Sequence, residues 1–416
     1  MLPVKQAEEV ILGLVQPMDR VQDQEQVELL SARGRVLAES VVGTLDFPHW
    51  DNSAMDGYAV RYEDVAEVRG DRPIQLEIIE EIPAGKPPQK TINKGQAARI
   101  FTGSMMPPGA DTVTIQEDTQ RQGDRVEILS APSQRGEWVR YQGSFYQSGT
   151  PLLSPGIVLS APDIAVLATA QITQVPVYRR CQVAILSTGD ELVAPGQPLK
   201  PGQLVDSNQY ALAAAVTAAG GEPLLMGIVG DQPEALQKAI AHALTVADIV
   251  LSTGGVSVGD YDYVEQILTQ LKGTIHIKKV GIKPGKPLTV ASFPREESTH
   301  SVLYFGLPGN PVSALVTFWR FVQPAMRKFA GWKQGWEPQF LTARSQQELR
   351  GGGPREIYLW GKIHCIDGIY EFEPAGGSHS SGNLINLAQT TALAVIPVGV
   401  STIAPGDSIQ VLPINS

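Results

Sequence analysis

The chain has 416 residues, 43% of them hydrophobic, with 43 acidic and 33 basic residues and a net charge of −10. This length exceeds one ordinary core and predicts two to four domains, and the acidic balance argues against nucleic acid as the main partner. Cys181 and Cys365 stand far apart, and the six histidines are scattered without an HExxH pattern. A disulfide scaffold and a zinc enzyme therefore lack support, a reducing cytoplasmic setting fits, and no signal segment or membrane span is expected.

Residues 1–43 read as helical. Val4, Ala7, Val10, Ile11 and Leu14 recur at helix spacing, and 27–42 carries a second apolar face. A matching segment comes at 160–172, where Ser160 and Asp163 are spaced as a capping pair around Pro162. Residues 1–43 and 150–176 are thus expected to form one discontinuous helical linker domain. Between them, 44–149 carries short apolar strands at 74–79, 97–101, 111–116 and 125–129, separated by Pro and Gly turns, and reads as an inserted β-rich domain.

Residues 177–330 change rhythm. Strands are expected at 183–186, 224–229, 249–251, 275–280 and 302–306. Helices are expected at 207–219, with Asp206 or Ser207 as cap, at 233–244, at 261–271, and from Pro311 to near Phe329. Strands alternating with helices predict an α/β domain with a largely parallel sheet. Residues 335–416 return to short β segments and read as a terminal barrel or sandwich.

Ligands of open α/β sheets bind beyond the carboxyl ends of the strands. Three such ends carry glycine-rich loops here. The first holds Ser187, Thr188, Gly189, Asp190 and Glu191; the second holds Thr253, Gly254, Gly255, Ser257, Gly259 and Asp260; the third holds Pro308, Gly309 and Asn310. Their amides and hydroxyls make a cradle for phosphate or another oxyanion, although none is a P-loop or a dinucleotide fingerprint. Strand alternation would put Lys279 and Lys283 on one side of a segment stiffened by Pro284 and Pro287, where they could neutralise an anion. Asp190, Glu191, Asp231, Asp260 and Asp262 crowd the same region, and carboxylates beside phosphates suggest Mg²⁺. Asp231 could equally cap the helix that follows it.

Other segments are more ambiguous. The polar and aromatic stretch 46–59 is too rich for a linker, and Asp56 within it could reach a ligand. Thr102 and Gly103 precede another turn. Gly376, Gly377, Ser378, His379, Ser380 and Ser381 form a possible anion nest, with His379 read as a surface or hydrogen-bonded histidine rather than a metal ligand. Arg355 could be a phosphate clamp or a surface charge.

Seven segments together resemble the molybdopterin molybdotransferase family, which includes bacterial MoeA and the gephyrin E-domain. They are SAMDGYAV at 53–60, ARIFTGSMMPPGADTV at 98–113, AILSTGDELVAPGQPL at 184–199, DSNQYAL at 206–212, STGGVSVGDYDYV at 252–264, GIKPGKP at 281–287 and GLPGNPVSALVTF at 306–318. The resemblance spans nearly the whole chain. It implies four domains: a discontinuous helical linker (1–43 plus 150–176), an inserted β-rich domain (44–149), a three-layer α/β molybdopterin-binding domain (177–330) and a C-terminal β-barrel (335–416).

The resemblance also implies a function, insertion of molybdate into adenylylated molybdopterin with Mg²⁺ and release of AMP. It implies a homodimer with clefts shared between subunits, and transient contact with the molybdopterin adenylyltransferase. Carried over by motif, the catalytic residues are Asp56, Thr102, Glu191, Asp231, Asp262, Lys279 and Lys283. By the same motif matching Ser378 contacts substrate, and the reading of the loops themselves adds Thr188, Gly189, Asp190, Ser207, Thr253, Gly254, Gly255, Ser257, Gly259, Pro284, Lys286, Pro308, Asn310 and Arg355 as expected substrate contacts. The metal ligands are Glu191, Asp231, Asp260 and Asp262. One place departs: where the family carries Gly-Glu-Asp, this chain has Gly143-Ser144-Phe145. Two alternatives follow, an adenylyltransferase-like enzyme and a pterin-binding homologue with impaired catalysis.

Overall fold

The structure, a computed structural model, describes residues 1–69, 71–254, 261–295 and 300–414, with the side chains of 261 and 262 outside the description. The chain forms two compact units. One comprises Met1–Glu39, Pro155–Ile164 and Gln174–Ser416; the other comprises Ser40–Ser154 and Ala165–Thr173.

In the first unit six strands form a mixed sheet. Their order is Glu222–Val229, Gln182–Thr188, Ile249–Thr253, Val302–Leu307, Pro287–Phe293, Thr274–Lys279. The first four run parallel, and Pro287–Phe293 runs antiparallel to both its neighbours. Successive side chains of a strand point to opposite faces, so each strand feeds two cores. Val183, Ile185 and Leu251 pack with Leu212 of helix Asn208–Ala218 and with Val312 and Val316. Ala184, Leu186 and Val250 pack with Leu236 of helix Pro233–Val246 and Ile267 of helix Tyr261–Gln270. At about 1.5–3 kcal/mol for each large side chain buried, the two cores hold the sheet rigid and leave its edge loops for ligands. The three-layer α/β arrangement is the one expected. Strand Pro287–Phe293 is an addition; five of its seven residues are buried, four of them in a row, so it shows no alternation to read.

Helix 311–329 is interrupted. Segments Pro311–Thr317 and Gln323–Phe329 flank a π-turn at Phe318–Val322. Pro324 has no N–H to donate and crowds the carbonyl four residues earlier, and the wider turn accommodates both effects.

The N-terminal stretch corrects one expectation. Val4–Leu14 is helical, but 27–42 is not a second helix. Gln24–Glu28 is a strand paired with Gln174–Tyr178, and Val36 and Leu37 bridge Val158 and Val177. A helix-compatible spacing gives way here to a partner strand far along the chain. The capping pair holds in one direction: Asp163 accepts the Ser160 amide at 2.7 Å and its hydroxyl at 2.5 Å.

At the amino edge of the sheet sits a buried charge network. Asp248 accepts Arg179 through two nitrogens at 2.6 and 2.9 Å and the Gln182 amide at 2.9 Å. Arg179 also bonds Asp23 at 2.9 Å, while Arg295 and His300 each stand 3.7 Å from Asp248.

The terminal strands close into a barrel. Glu356–Ile366 pairs with Ile369–Pro374, then follow Leu341–Ser345, Ser408–Pro413 and Ala392–Ile396, which returns to Glu356–Ile366. Closure leaves no free edge between them. Ile282–Lys283 runs alongside Glu356 and Ile357, which ties the barrel to the carboxyl edge of the α/β sheet.

The second unit is built on a curled six-stranded sheet in the order Thr112–Ile115, Gly57–Val60, Gln96–Ile100, Ile74–Ile82, Arg125–Ile128, Thr119–Gln122. Tyr58 and Val60 face one small core and Ala59 faces another. Among the described residues no helix is long and apolar enough to cross a membrane.

Candidate functional site

The loops at the carboxyl edge of the α/β sheet interlock. Thr188 Oγ1 donates to the Thr253 carbonyl at 3.2 Å, and the Ser187 and Thr253 hydroxyls lie 3.3 Å apart. Gly254 has φ +90°, and a Cβ there would collide with the Thr188 carbonyl. Gly189 has φ +145°, and a Cβ there would strike the Glu191 carboxylate. Gly254 is thus required by close approach of backbone as well as by its conformation, whereas Gly189 is required by conformation, since the flexible Glu191 side chain could move aside. A Cβ on Gly309 would lie 3.4 Å from Gly254, so the second and third loops also touch.

Asp190 and Asp231 are fixed reciprocally. The Asp190 amide donates to Asp231 at 3.4 Å and the Asp231 amide to Asp190 at 3.1 Å. Asp231 is therefore no helix cap; the residue before Pro233–Val246 is Gln232, and no side chain caps that helix. Asp206, instead, accepts the Gln209 amide at 3.2 Å, which leaves the Ser207 side chain without a capping bond. Asn208 Nδ2 reaches across to the Gly309 carbonyl at 2.8 Å.

Thr274–Lys279 is parallel to the four strands of the sheet, so Lys279 ends on the same edge as Gly254. Three strand spacings separate the two strands, about 14 Å. Lys279 and Lys283 do not, however, share one face of one strand. The chain turns between them, with Val280 N bonded to Lys286 O at 3.0 Å and Gly281 N to Leu2 O at 2.8 Å. Lys283 then pairs into the barrel sheet.

Between this edge and the barrel lies a cleft of about 1010 Å³. Of the expected residues, Lys283, Pro284, Lys286, Pro308, Asn310 and Arg355 line it. Ser378 is flanked by the lining residues Gly377 and His379. Sequence reasoning missed Arg350, Glu348 and Trp360 in the lining, and it named His379 in a possible anion nest but read it as a surface or hydrogen-bonded histidine. Only folding brings these barrel residues to the α/β edge, and no local spacing announces them. Four cations, Lys283, Lys286, Arg350 and Arg355, thus face one cleft of a chain that is acidic overall. The loop 376–381 is clasped: Asn386 Nδ2 donates to Gly376 O at 2.6 Å and Ser378 O at 3.0 Å, Asn383 to Ser378 O at 3.2 Å, and Asn310 to Ser381 Oγ at 3.1 Å.

Asp56 and Thr102 meet in the second unit. The Thr102 amide and hydroxyl both donate to Asp56 Oδ1 at 2.7 Å. These two bonds, the amide first, hold the Asp56 carboxyl below its ordinary range, so it is ionised. Phe145, at the position of the departure, is exposed, its ring centroid 5.9 Å from that of Phe47.

Gly255, Ser257, Gly259 and Asp260 lie outside the described residues. Asp262 falls within helix Tyr261–Gln270, with its side chain also outside the description. Among the described residues no group of three or more His, Cys, Asp or Glu is placed to hold a metal. Glu191, Asp190 and Asp231 remain as oxygen donors at the strand ends.

Comparison with known proteins agrees along the chain. Residues 2–170 match the MoeA N-terminal region (domain I and II), 184–328 a probable molybdopterin binding domain, and 342–414 the MoeA C-terminal region (domain IV). A molybdopterin molybdenumtransferase of Nostoc sp. is 58% identical over 98% of this chain and 93% of that protein. One from Haemophilus influenzae is 32% identical over 94% of each. The crystal structure of the molybdopterin biosynthesis moeA protein from Pyrococcus horikoshii OT3 superposes with a TM-score of 0.83 at 30% identity, covering 99% of this chain and 100% of that one.

Proposed function

The chain belongs to the molybdopterin molybdenumtransferase family, enzymes of molybdenum-cofactor biosynthesis, and we propose that it inserts molybdate into adenylylated molybdopterin with release of AMP. The observation that carries this reading is the cleft where Lys283, Lys286, Arg350 and Arg355 converge beside the interlocked strand-end loops. Molybdate is a doubly charged oxyanion, and convergent cations in a concave site attract it. The amides and hydroxyls around Thr188, Thr253 and Gly254 suit the phosphates of a pterin nucleotide. Insertion joins the two pterin sulfurs to molybdenum, and water attacks the adenylyl phosphorus as AMP departs. Positioning and electrostatics supply the catalysis, with no protein nucleophile.

Mg²⁺ fits the donor set at the strand ends, since it takes one or two carboxylates and completes its shell with phosphate and water oxygens. Glu191 and Asp231 would hold it, with Asp260 and Asp262 as further candidates. When bound it would neutralise charge on the phosphoanhydride. The proposal also retains a cytoplasmic homodimer, in which Asp56 and Thr102 of one subunit serve the cleft of the other. It keeps the four-domain division and transient contact with the adenylyltransferase.

The test is AMP release and molybdenum transfer with adenylylated molybdopterin, molybdate and Mg²⁺. Lys283→Ala and Asp262→Ala should each lower the rate at least 10-fold, and unchanged rates would remove the site assignment. Phe145 favours a second reading, because it places an aromatic ring where the family carries a carboxylate. A chain that binds the pterin nucleotide yet releases no AMP would establish impaired catalysis instead.

A further inference from the structure

Replacing an oxygen of molybdate by pterin sulfur moves protons, and the cleft holds one described group suited to that task. Lys283, Lys286, Arg350 and Arg355 are the cleft's anion-holding cations. Glu348 is engaged by Arg350 at 2.8 Å. Tyr358 is buried, donates to Glu356 at 2.6 Å and accepts from Arg320 at 2.8 Å, and burial pushes its phenol far up. His379 remains. Its ring stands 5.0 Å from that of Trp360, and it belongs to the loop clasped by Asn310, Asn383 and Asn386. The residue stays accessible to solvent at the cleft wall, while the desolvation of its ring against the barrel lowers the imidazole from its ordinary value, which favours the neutral form able to accept a proton.

We propose that His379 carries protons from the pterin dithiol to the departing molybdate oxygen, a reading that rests on the insertion activity proposed above. The balance is R(SH)₂ + MoO₄²⁻ → [R(S)₂MoO₃]²⁻ + H₂O. Two S–H bonds and one Mo–O bond break and two Mo–S bonds form. Both protons leave on the oxygen as water, and molybdenum keeps its oxidation state. Neutral His379 takes a thiol proton, becomes imidazolium, passes the proton to the departing oxygen and is restored. The cations facing it from the 283–287 turn, from Arg350 and from Arg355 hold the dianion and disfavour a lasting imidazolium. Glu348 and Tyr358 face the same cleft but are committed to other partners.

The experiment uses the full chain with adenylylated molybdopterin, molybdate and Mg²⁺, reading molybdenum on the pterin and AMP separately. His379→Gly should lower kcat for molybdenum transfer by about 100-fold, the usual scale of a lost proton-transfer group, with KM for molybdate changed less than 3-fold. Added imidazole should restore at least 10-fold of that loss, and His379→Gln should flatten the acid limb of the pH–rate profile. A kcat within 3-fold of the parent overturns the proposal. So does a loss that imidazole does not rescue while the pH profile is retained, because that describes a structural residue. A parent enzyme that transfers no molybdenum removes the insertion reading itself, and the role of His379 with it.

Discussion

Replacing Asp248 by Asn removes one charge from the amino edge of the α/β sheet while keeping the size of the side chain. Asp248 is only 2% exposed and receives Arg179 at 2.6 and 2.9 Å and the Gln182 amide at 2.9 Å. Burial pushes its carboxyl up, but the neighbouring His300, the bonds and charge of Arg179, and the Gln182 amide outweigh burial and hold it at about 2. The ordinary value is 3.8, and at about 1.4 kcal/mol per unit the difference corresponds to about 2 kcal/mol of native stability. Because the folded value is depressed, that contribution is complete above pH 4 and is lost as pH falls toward 2. Arg179 would keep Asp23 but lose its bidentate partner, and breaking one side of a buried pair typically costs about 3–5 kcal/mol. We expect Asp248→Asn to lose about 3 kcal/mol at pH 7, which lowers Tm by roughly 5 °C for a unit of this size. The gap between the two proteins should narrow in thermal melts recorded from pH 5 down to pH 2. A variant that melts within 1 °C of the parent at pH 7, or a gap that does not change with acid, would refute the reasoning.

Three further outcomes follow from the site. Gly254→Ala puts a Cβ against the Thr188 carbonyl at a positive φ; it should cost about 1–3 kcal/mol of stability and weaken pterin-nucleotide affinity at least 10-fold by calorimetry. Asp56→Asn should lower kcat by roughly 100- to 1000-fold, the scale of one lost electrostatic contact, while leaving molybdate affinity of the cationic cleft intact. Asn386→Ala frees the carbonyl of Gly376 and leaves that of Ser378 to Asn383 alone; it should raise KM for molybdate several-fold while costing only about 1 kcal/mol in a denaturant titration.

The candidate site was legible where its residues sit beside one another in sequence. The strand-end loops at 187–191, 252–254 and 306–311 each carry glycine directly after a strand, the first two with Ser and Thr hydroxyls and the third with Asn310, and all three are found together. Asp56 and Thr102 were singled out separately, and a hydrogen bond joins them. The lysine cluster was seen, but its geometry was not, because the turn at Val280 and Gly281 sends Lys283 into a different sheet. Arg350 and His379 reach the cleft only through closure of the barrel, which local spacing does not encode.

Alternating apolar residues, capping spacings and glycine-bearing turns determined that a layered α/β domain exists and where its loops fall. Such patterns arise within a few residues of one another, so a sequence can state them alone. The tertiary structure decided that Gln24–Glu28 pairs with Gln174–Tyr178, that Pro287–Phe293 joins the sheet, and that barrel cations complete a cleft begun by Lys283. Strand pairing and convergence of charge depend on partners from a few to well over a hundred positions apart, and the chain acquires them only when it folds.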